Sequence, residues 1–299
     1  MTDDRGLLDI PRGPARFARK AAAVRLPPLP RRLTGSLVVA PAVLLLILLF
    51  VAPLAIFTVY SFYKFSGGVI IRDFTLDTWR SLWQSYYFRI SLETLYMAGW
   101  TTLFTLLVGY PIAYAMAIMK SGRLRLVLSV IIFMPLTVSV VVRAYGWQVL
   151  LSQSGPVPAI LGKIGLHPQL LFNMTGVVIA SVQVLLPFAV FPIYASLASI
   201  DGSLREASAD LGAGWLVTLR RIVVPLSAPG TAAAAELTFT LALGNFVIPA
   251  MLGGGRVLVI PLVVFQDTGT TNWPVAAALG LVLTIGSLIA VALLNRIGR

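Results

Sequence analysis

Residues 203–225 read SLREASADLGAGWLVTLRRIVVP, a polar, charged interruption between two long apolar runs. Glu206-Ala207-Ser208 is followed after three residues by Gly212, and after nine more by Ile222, one residue and Val224-Pro225. Ser203-Leu204-Arg205-Glu206 fits a capping box, in which the Ser203 hydroxyl accepts a backbone N–H and Glu206 reaches back, so the spacing predicts a helix from Leu204. Gly212 supplies the left-handed backbone that ends it. Leu204, Ala207 and Leu211 recur at helical spacing as a narrow apolar stripe, with Arg205, Ala209 and Gly212 on other faces. The small side chains of Ala207, Ser208 and Ala209 allow another surface to approach the backbone closely. A second short helix is expected over Trp215 to Val223, which Pro225 separates from the next run.

The flanking runs set the class. The chain has 299 residues, 58% hydrophobic and 11% charged, with a mean hydropathy of +0.90. Soluble domains carry about 45–50% apolar residues, so this is an integral membrane protein. A helix crossing the hydrocarbon core needs roughly 20 apolar residues. By that rule there are about six spans: Ser36 to Tyr63, Ser91 to Met119, Leu126 to Leu151, Met174 to Ile200, Pro225 to Leu252 and Trp273 to Leu294. The expected fold is all-α, with a basic, disordered N-terminal tail over 1–35, a membrane domain over 36–299 and the polar loop at 201–224.

Charge orients the spans. Arg5, Arg12, Arg16, Arg19, Lys20, Arg25, Arg31 and Arg32 precede the first. Lys120, Arg123 and Arg125 join the second to the third, Arg205, Arg220 and Arg221 lie between the fourth and fifth, and Arg296 and Arg299 follow the last. The positive-inside bias therefore predicts that both termini and the Glu206 loop are cytoplasmic.

Several functions are excluded or disfavoured. The net charge of +12 resides largely in a Pro- and Arg-rich tail whose only aromatic residue is Phe17, which fits contact with anionic lipid rather than nucleic acid. The first run is too long for a cleaved signal and lacks a small-residue cleavage site. There is no cysteine, hence no disulfide or thiolate chemistry, and His167, the single histidine, builds no metal site and is expected as an exposed loop residue. No phosphate-binding GxxxxGK[ST] loop is present, so the chain does not bind ATP by that route.

With Ser208 for its third small residue and Val224 for Leu, the 206–225 pattern resembles the signature loop of ABC importer permease subunits. Val108-Gly109-Tyr110-Pro111-Ile112-Ala113-Tyr114, Met134-Pro135-Leu136 and Val142-Arg143-Ala144-Tyr145-Gly146-Trp147 look like spermidine/putrescine-type permeases. So do Ala242-Leu243-Gly244-Asn245-Phe246-Val247-Ile248-Pro249, Leu252-Gly253-Gly254 and Asn272-Trp273-Pro274. The resemblance covers nearly all of the chain after the tail. It implies a type I importer fold in a bacterial inner membrane, with a second homologous permease, an ATPase dimer and an extracytoplasmic solute-binding protein as partners. It also implies no cofactor and no catalytic residue in this chain, since ATP and magnesium belong to the ATPase. Ser203, Glu206, Ala207, Ser208, Asp210, Leu211, Gly212 and Ala213 would then form the coupling helix that fits the ATPase. The implied solute is a polyamine or related organic compound.

Candidate path residues are the polar and aromatic ones inside spans. Glu236 is costly in lipid and marks either a cavity that attracts a cation or a buried partner on a neighbouring helix. Arg143 sits near the outer end of its span, where it can snorkel to the interface or touch solute. Trp147, Phe246 and Trp273 offer ring faces to an ammonium group, and Trp147 and Trp273 equally suit the membrane interface. Asn245 beside Gly244 is polar and mid-span, where a helix loosens only around a cavity or protein. The competing function is an ion-coupled secondary transporter using Glu236, although no internal repeat of the kind such folds carry is visible.

Overall fold

The computed structural model describes residues 31–297. Most of the expected tail, and Arg299, therefore lie outside the described residues. Arg31–Tyr60 form one helix, α1, so residues 31–35 are helical rather than part of a disordered tail. The chain divides after Ala52 into two compact units. In the first, every residue from Val39 to Ala52 is exposed, as expected of a helix that is apolar all round and meets lipid or another chain.

In the second unit, β1 (Tyr63–Ser66) and β2 (Val69–Phe74) pair antiparallel. Their two-residue turn, Gly67-Gly68, has φ of +60° and +82°, a twist that matches a hairpin and needs glycine. The apolar-run rule passes over this hairpin, because its strands are short and mixed. A single helical turn, α2 (Asp77–Ser81), leads into α3 (Ser85–Ile118), which opens earlier than the expected second span.

The third expected span is not one straight helix. The chain forms α4 (Gly122–Phe133), a tight 3-10 turn over Met134–Thr137 and α5 (Val140–Leu151). The two helical arms, the second continuing through α6 (Pro156–Gly162), meet at 101°. Pro135 has no N–H to continue the helical ladder, and Val138 is extended, which completes the break. The next span, α7 (Met174–Ala198), is close to expectation and is capped by the Asn173 side chain, which accepts from the Gly176 N–H at 3.0 Å.

The remaining elements are α8 (Gly202–Asp210), α9 (Trp215–Thr218), α10 (Val224–Leu243), α11 (Val247–Leu252), α12 (Ile260–Gly269) and α13 (Trp273–Ile297). The fifth span differs from expectation at both ends. A π-helical turn over Leu219–Val223 joins α9 to α10, so helix runs from Trp215 to Leu243 without a stop at Pro225. In the wider π turn the Val224 N–H bonds the Leu219 carbonyl five residues back, and Pro225 follows directly, within the first two positions of α10, where a missing N–H is tolerated. At the other end the helix stops at Leu243, and Gly244-Asn245-Phe246 separates it from α11. Counting the bent pair as one, six segments among the described residues are long and apolar enough to cross a membrane.

Helices α3, α7 and α10 pack on one another around a buried interior that includes Met97, Met116, Val177, Ile193 and Leu243. Between membrane helices small residues permit close backbone approach. Gly109 faces Ala189, where an added Cβ would come within 3.3 Å, and Gly230 lies against Ser196 and the Pro192 carbonyl, 2.7 Å from an added Cβ. The Tyr110 and Ser227 hydroxyls, 2.8 Å apart, tie α3 to α10. Thr94 accepts from the Ile260 N–H at 2.9 Å and ties α3 to the start of α12.

Candidate functional site

The polar segment after α7 folds as a short helix and a turn. Asp201, not Ser203, caps α8: its carboxylate accepts from the Ser203 N–H at 3.0 Å. The expected capping box is therefore displaced. Asp at this position satisfies the first free N–H and adds a negative charge at the helix N-terminus, so the helix starts earlier, at Gly202. That hydrogen bond holds the Asp201 carboxyl below the usual carboxylate range. Ser203 and Glu206 are exposed, and the Glu206 side chain forms no hydrogen bond among the described residues.

Gly212 has φ of +76° and ends the helix as expected. Ala207 and Asp210 are exposed and Ala213 is half-buried. The stripe of Leu204, Ala207 and Leu211 is open to the outside. Leu211 is 88% exposed and Trp215, just past the turn, is 73% exposed. Ser208 points the other way. It is the only buried residue of α8, and its hydroxyl lies 2.8 Å from that of buried Thr218. Thr218 went unnoticed in the sequence, where nothing distinguishes it from an exposed threonine of a connecting loop.

A second set of predicted residues gathers where the two broken spans meet α7. The arms α5 and α11 pack against each other. Trp147, half-buried on α5, donates its indole N–H to Gln183 of α7 at 3.2 Å. Asn245, in the break after α10, donates its amide to the Ser181 hydroxyl of the same helix at 3.3 Å. Trp147 is thus a packed, hydrogen-bonded residue, not a free interfacial anchor. Ser181 and Gln183 are rare polar residues inside an apolar run, a signal that could have flagged them.

The other candidates make no side-chain hydrogen bond to this set among the described residues. Phe246 is 37% exposed and stacks on Phe265 of α12 with ring centroids 5.4 Å apart. Arg143 precedes Trp147 by one turn and has enclosed Nε and Nη1 atoms that find no acceptor among the described residues. Glu236 is half-buried on α10, nine residues from Asn245, a separation of about 13 Å along a helix. The groove beside it, about 460 Å³ and walled by Tyr110, Ala228, Thr231, Ala235 and Leu294, is apolar and does not include Glu236. His167 is exposed, as expected. Among the described residues no group of three His, Cys, Asp or Glu is placed to hold a metal.

Residues 109–299 match the family described as binding-protein-dependent transport system inner membrane component. Over 253 residues the chain is 32% identical to the inner membrane ABC transporter permease protein YdcU of Escherichia coli (strain K12), covering 80% of each. Over 216 residues it is 36% identical to the spermidine/putrescine transport system permease protein PotB of the same organism, covering 71% of this chain and 78% of PotB. The fold matches a bacterial ABC transporter involved in import of the acidic polysaccharide alginate, at a TM-score of 0.74 and 20% identity, over 90% of this chain and 97% of that one. Spans, broken helices and family match agree, and they leave the ion-coupled reading through Glu236 without support: the chain belongs to the binding-protein-dependent inner-membrane permeases and is a multi-pass permease subunit of an ABC importer with the type I fold.

Proposed function

We propose that this permease forms half of a path for a polyamine or related organic cation, with α8 docked on a separate ATPase. The carrying observation is the pair Leu211 and Trp215, both largely exposed on either side of the Gly212 turn. A second homologous permease completes the path, an extracytoplasmic solute-binding protein delivers the solute, and a pair of ATPase subunits holds ATP and magnesium. The chain itself carries no cofactor and does no bond-breaking chemistry. Both termini and α8 lie on the cytoplasmic side, and the basic N-terminal segment contacts anionic lipid.

Support for the solute class comes from the likeness to PotB and from the stacked pair Phe246 and Phe265, aromatic rings of the kind that attract ammonium groups. In the working cycle, closure of the ATPase pair pushes α8. The movement passes into α10, whose far end abuts the Asn245 and Trp147 set. Rearrangement there opens the path to one side of the membrane at a time.

The test is uptake of labelled putrescine by proteoliposomes holding the permease pair, the ATPase and the binding protein. Uptake that requires internal ATP and is lost in Leu211→Asp/Trp215→Asp supports the proposal. Uptake that persists without ATP and collapses with an ionophore overturns it.

A further inference from the structure

Helix α8 has no buried apolar side chain. Its one buried residue is Ser208, at 7% exposure, while Leu204 is 44% and Leu211 88% exposed. Such a short helix has little stability of its own, so contacts to the turn and to α9 must hold it. One of each is visible. The Ser208 hydroxyl pairs with that of Thr218 at 2.8 Å inside the protein, and the Ala213 N–H donates to the Ser208 carbonyl at 3.1 Å. Thr218 also reaches the Gly214 carbonyl at 3.3 Å and is the last residue of α9, directly before the π turn that continues into α10. Between Ser208 and Thr218 lies Gly212 in left-handed conformation, its N–H on the Ala209 carbonyl at 2.9 Å and with nothing within 4 Å of an added Cβ, so no side chain packs against the bend.

We propose that Ser208 and Thr218 are positioning residues that fasten α8 across this bend to the start of the long helix. A push on α8 then moves α10 instead of being absorbed at Gly212. The proposal rests on α8 being the ATPase contact, but the hydroxyl pair itself can be tested without the ATPase.

The first measurement is amide exchange on the full chain in lipid nanodiscs. Ser208→Ala and Thr218→Val should each raise exchange at Leu211, Gly212 and Ala213 about fivefold, the factor for losing one buried neutral hydrogen bond, while Thr218→Ser stays at the wild-type rate. The double variant should match either single one. Equal exchange in all variants overturns the fastening. The second measurement, on the complete transporter, is putrescine moved per ATP hydrolysed. It should fall in Ser208→Ala and Thr218→Val with ATP turnover retained, and recover in Thr218→Ser. An unchanged ratio overturns the role in coupling. A wild-type chain that captures no ATPase, with the exchange pattern intact, would instead indict the assignment of α8 as the motor contact.

Discussion

The ring of Phe172 lies on the backbone of Gly254, and both residues have left-handed backbones, φ +63° and +56°. The Phe172 N–H donates to the Leu252 carbonyl at 2.9 Å, joining the loop before α7 to the last residue of α11. A bulky residue in this region is strained, so the surrounding contacts hold it there. A Cβ on Gly254 would stand 2.6 Å from the Phe172 Cγ. Gly254→Ala should cost about 2 kcal/mol or more from overpacking, read as a lower thermal midpoint in detergent. Gly255→Asn, next door in open space, should be nearly neutral.

The cap of α8 makes a second contrast. Asp201→Ala should fray the helix and speed amide exchange at 202–206, because the acceptor for the Ser203 N–H is lost. Ser203→Ala keeps that bond and should leave exchange near wild type. The reverse ranking would restore the Ser203 capping box.

Asn245 and Ser181 form the polar tie between the broken fifth span and α7, with Ser181 fully buried. Asn245→Ala should destabilise the protein by about 1–3 kcal/mol, since it strands a buried hydroxyl. Adding Ser181→Ala should cost little more, because neighbours sharing one bond are not additive. A double-mutant cycle of thermal midpoints reads this directly, and full additivity would count against the tie.

Asp267, outside the spans at the end of α12, has an enclosed Oδ2 without a hydrogen-bond partner among the described residues. Burial pushes its carboxyl above the usual range, opposed in part by Asn272. A carboxyl raised in the folded state contributes stability below its ordinary pKa, and that contribution is lost as pH rises through the folded value. Asp267→Asn should therefore raise the thermal midpoint at neutral pH and flatten its decline between acid and neutral pH. A midpoint whose pH dependence matches wild type would show that Asp267 is solvated.

The sequence conveyed the spans because hydropathy is additive along a chain: 174–200 was expected and Met174–Ala198 is found. It conveyed Gly212 because only glycine adopts that backbone at no cost. The Gly67-Gly68 hairpin was readable in principle, from two glycines between short aromatic and β-branched runs. The cap was ambiguous, since Asp201 and Ser203 both offer an oxygen, and local pattern does not say which N–H wins. Pro135 hinted at a break but not at a 101° bend. The ties from Trp147 to Gln183 and from Asn245 to Ser181 join residues 36 and 64 positions apart. No periodicity carries such pairings; they exist only once α5 and α11 have packed on α7.

The unbroken helix from Trp215 to Leu243 comprises 29 residues, about 43 Å at the usual rise. It joins the Trp215 end, next to α8, and the membrane segment in one continuous beam. Swung about its middle by about 5°, a beam of that length carries its two ends roughly 2 Å in opposite directions. A shift of that size is enough to make or break the Asn245 bond to Ser181. The π turn at Leu219–Val223 is the joint of that beam, and the arginines at 220 and 221 sit on it.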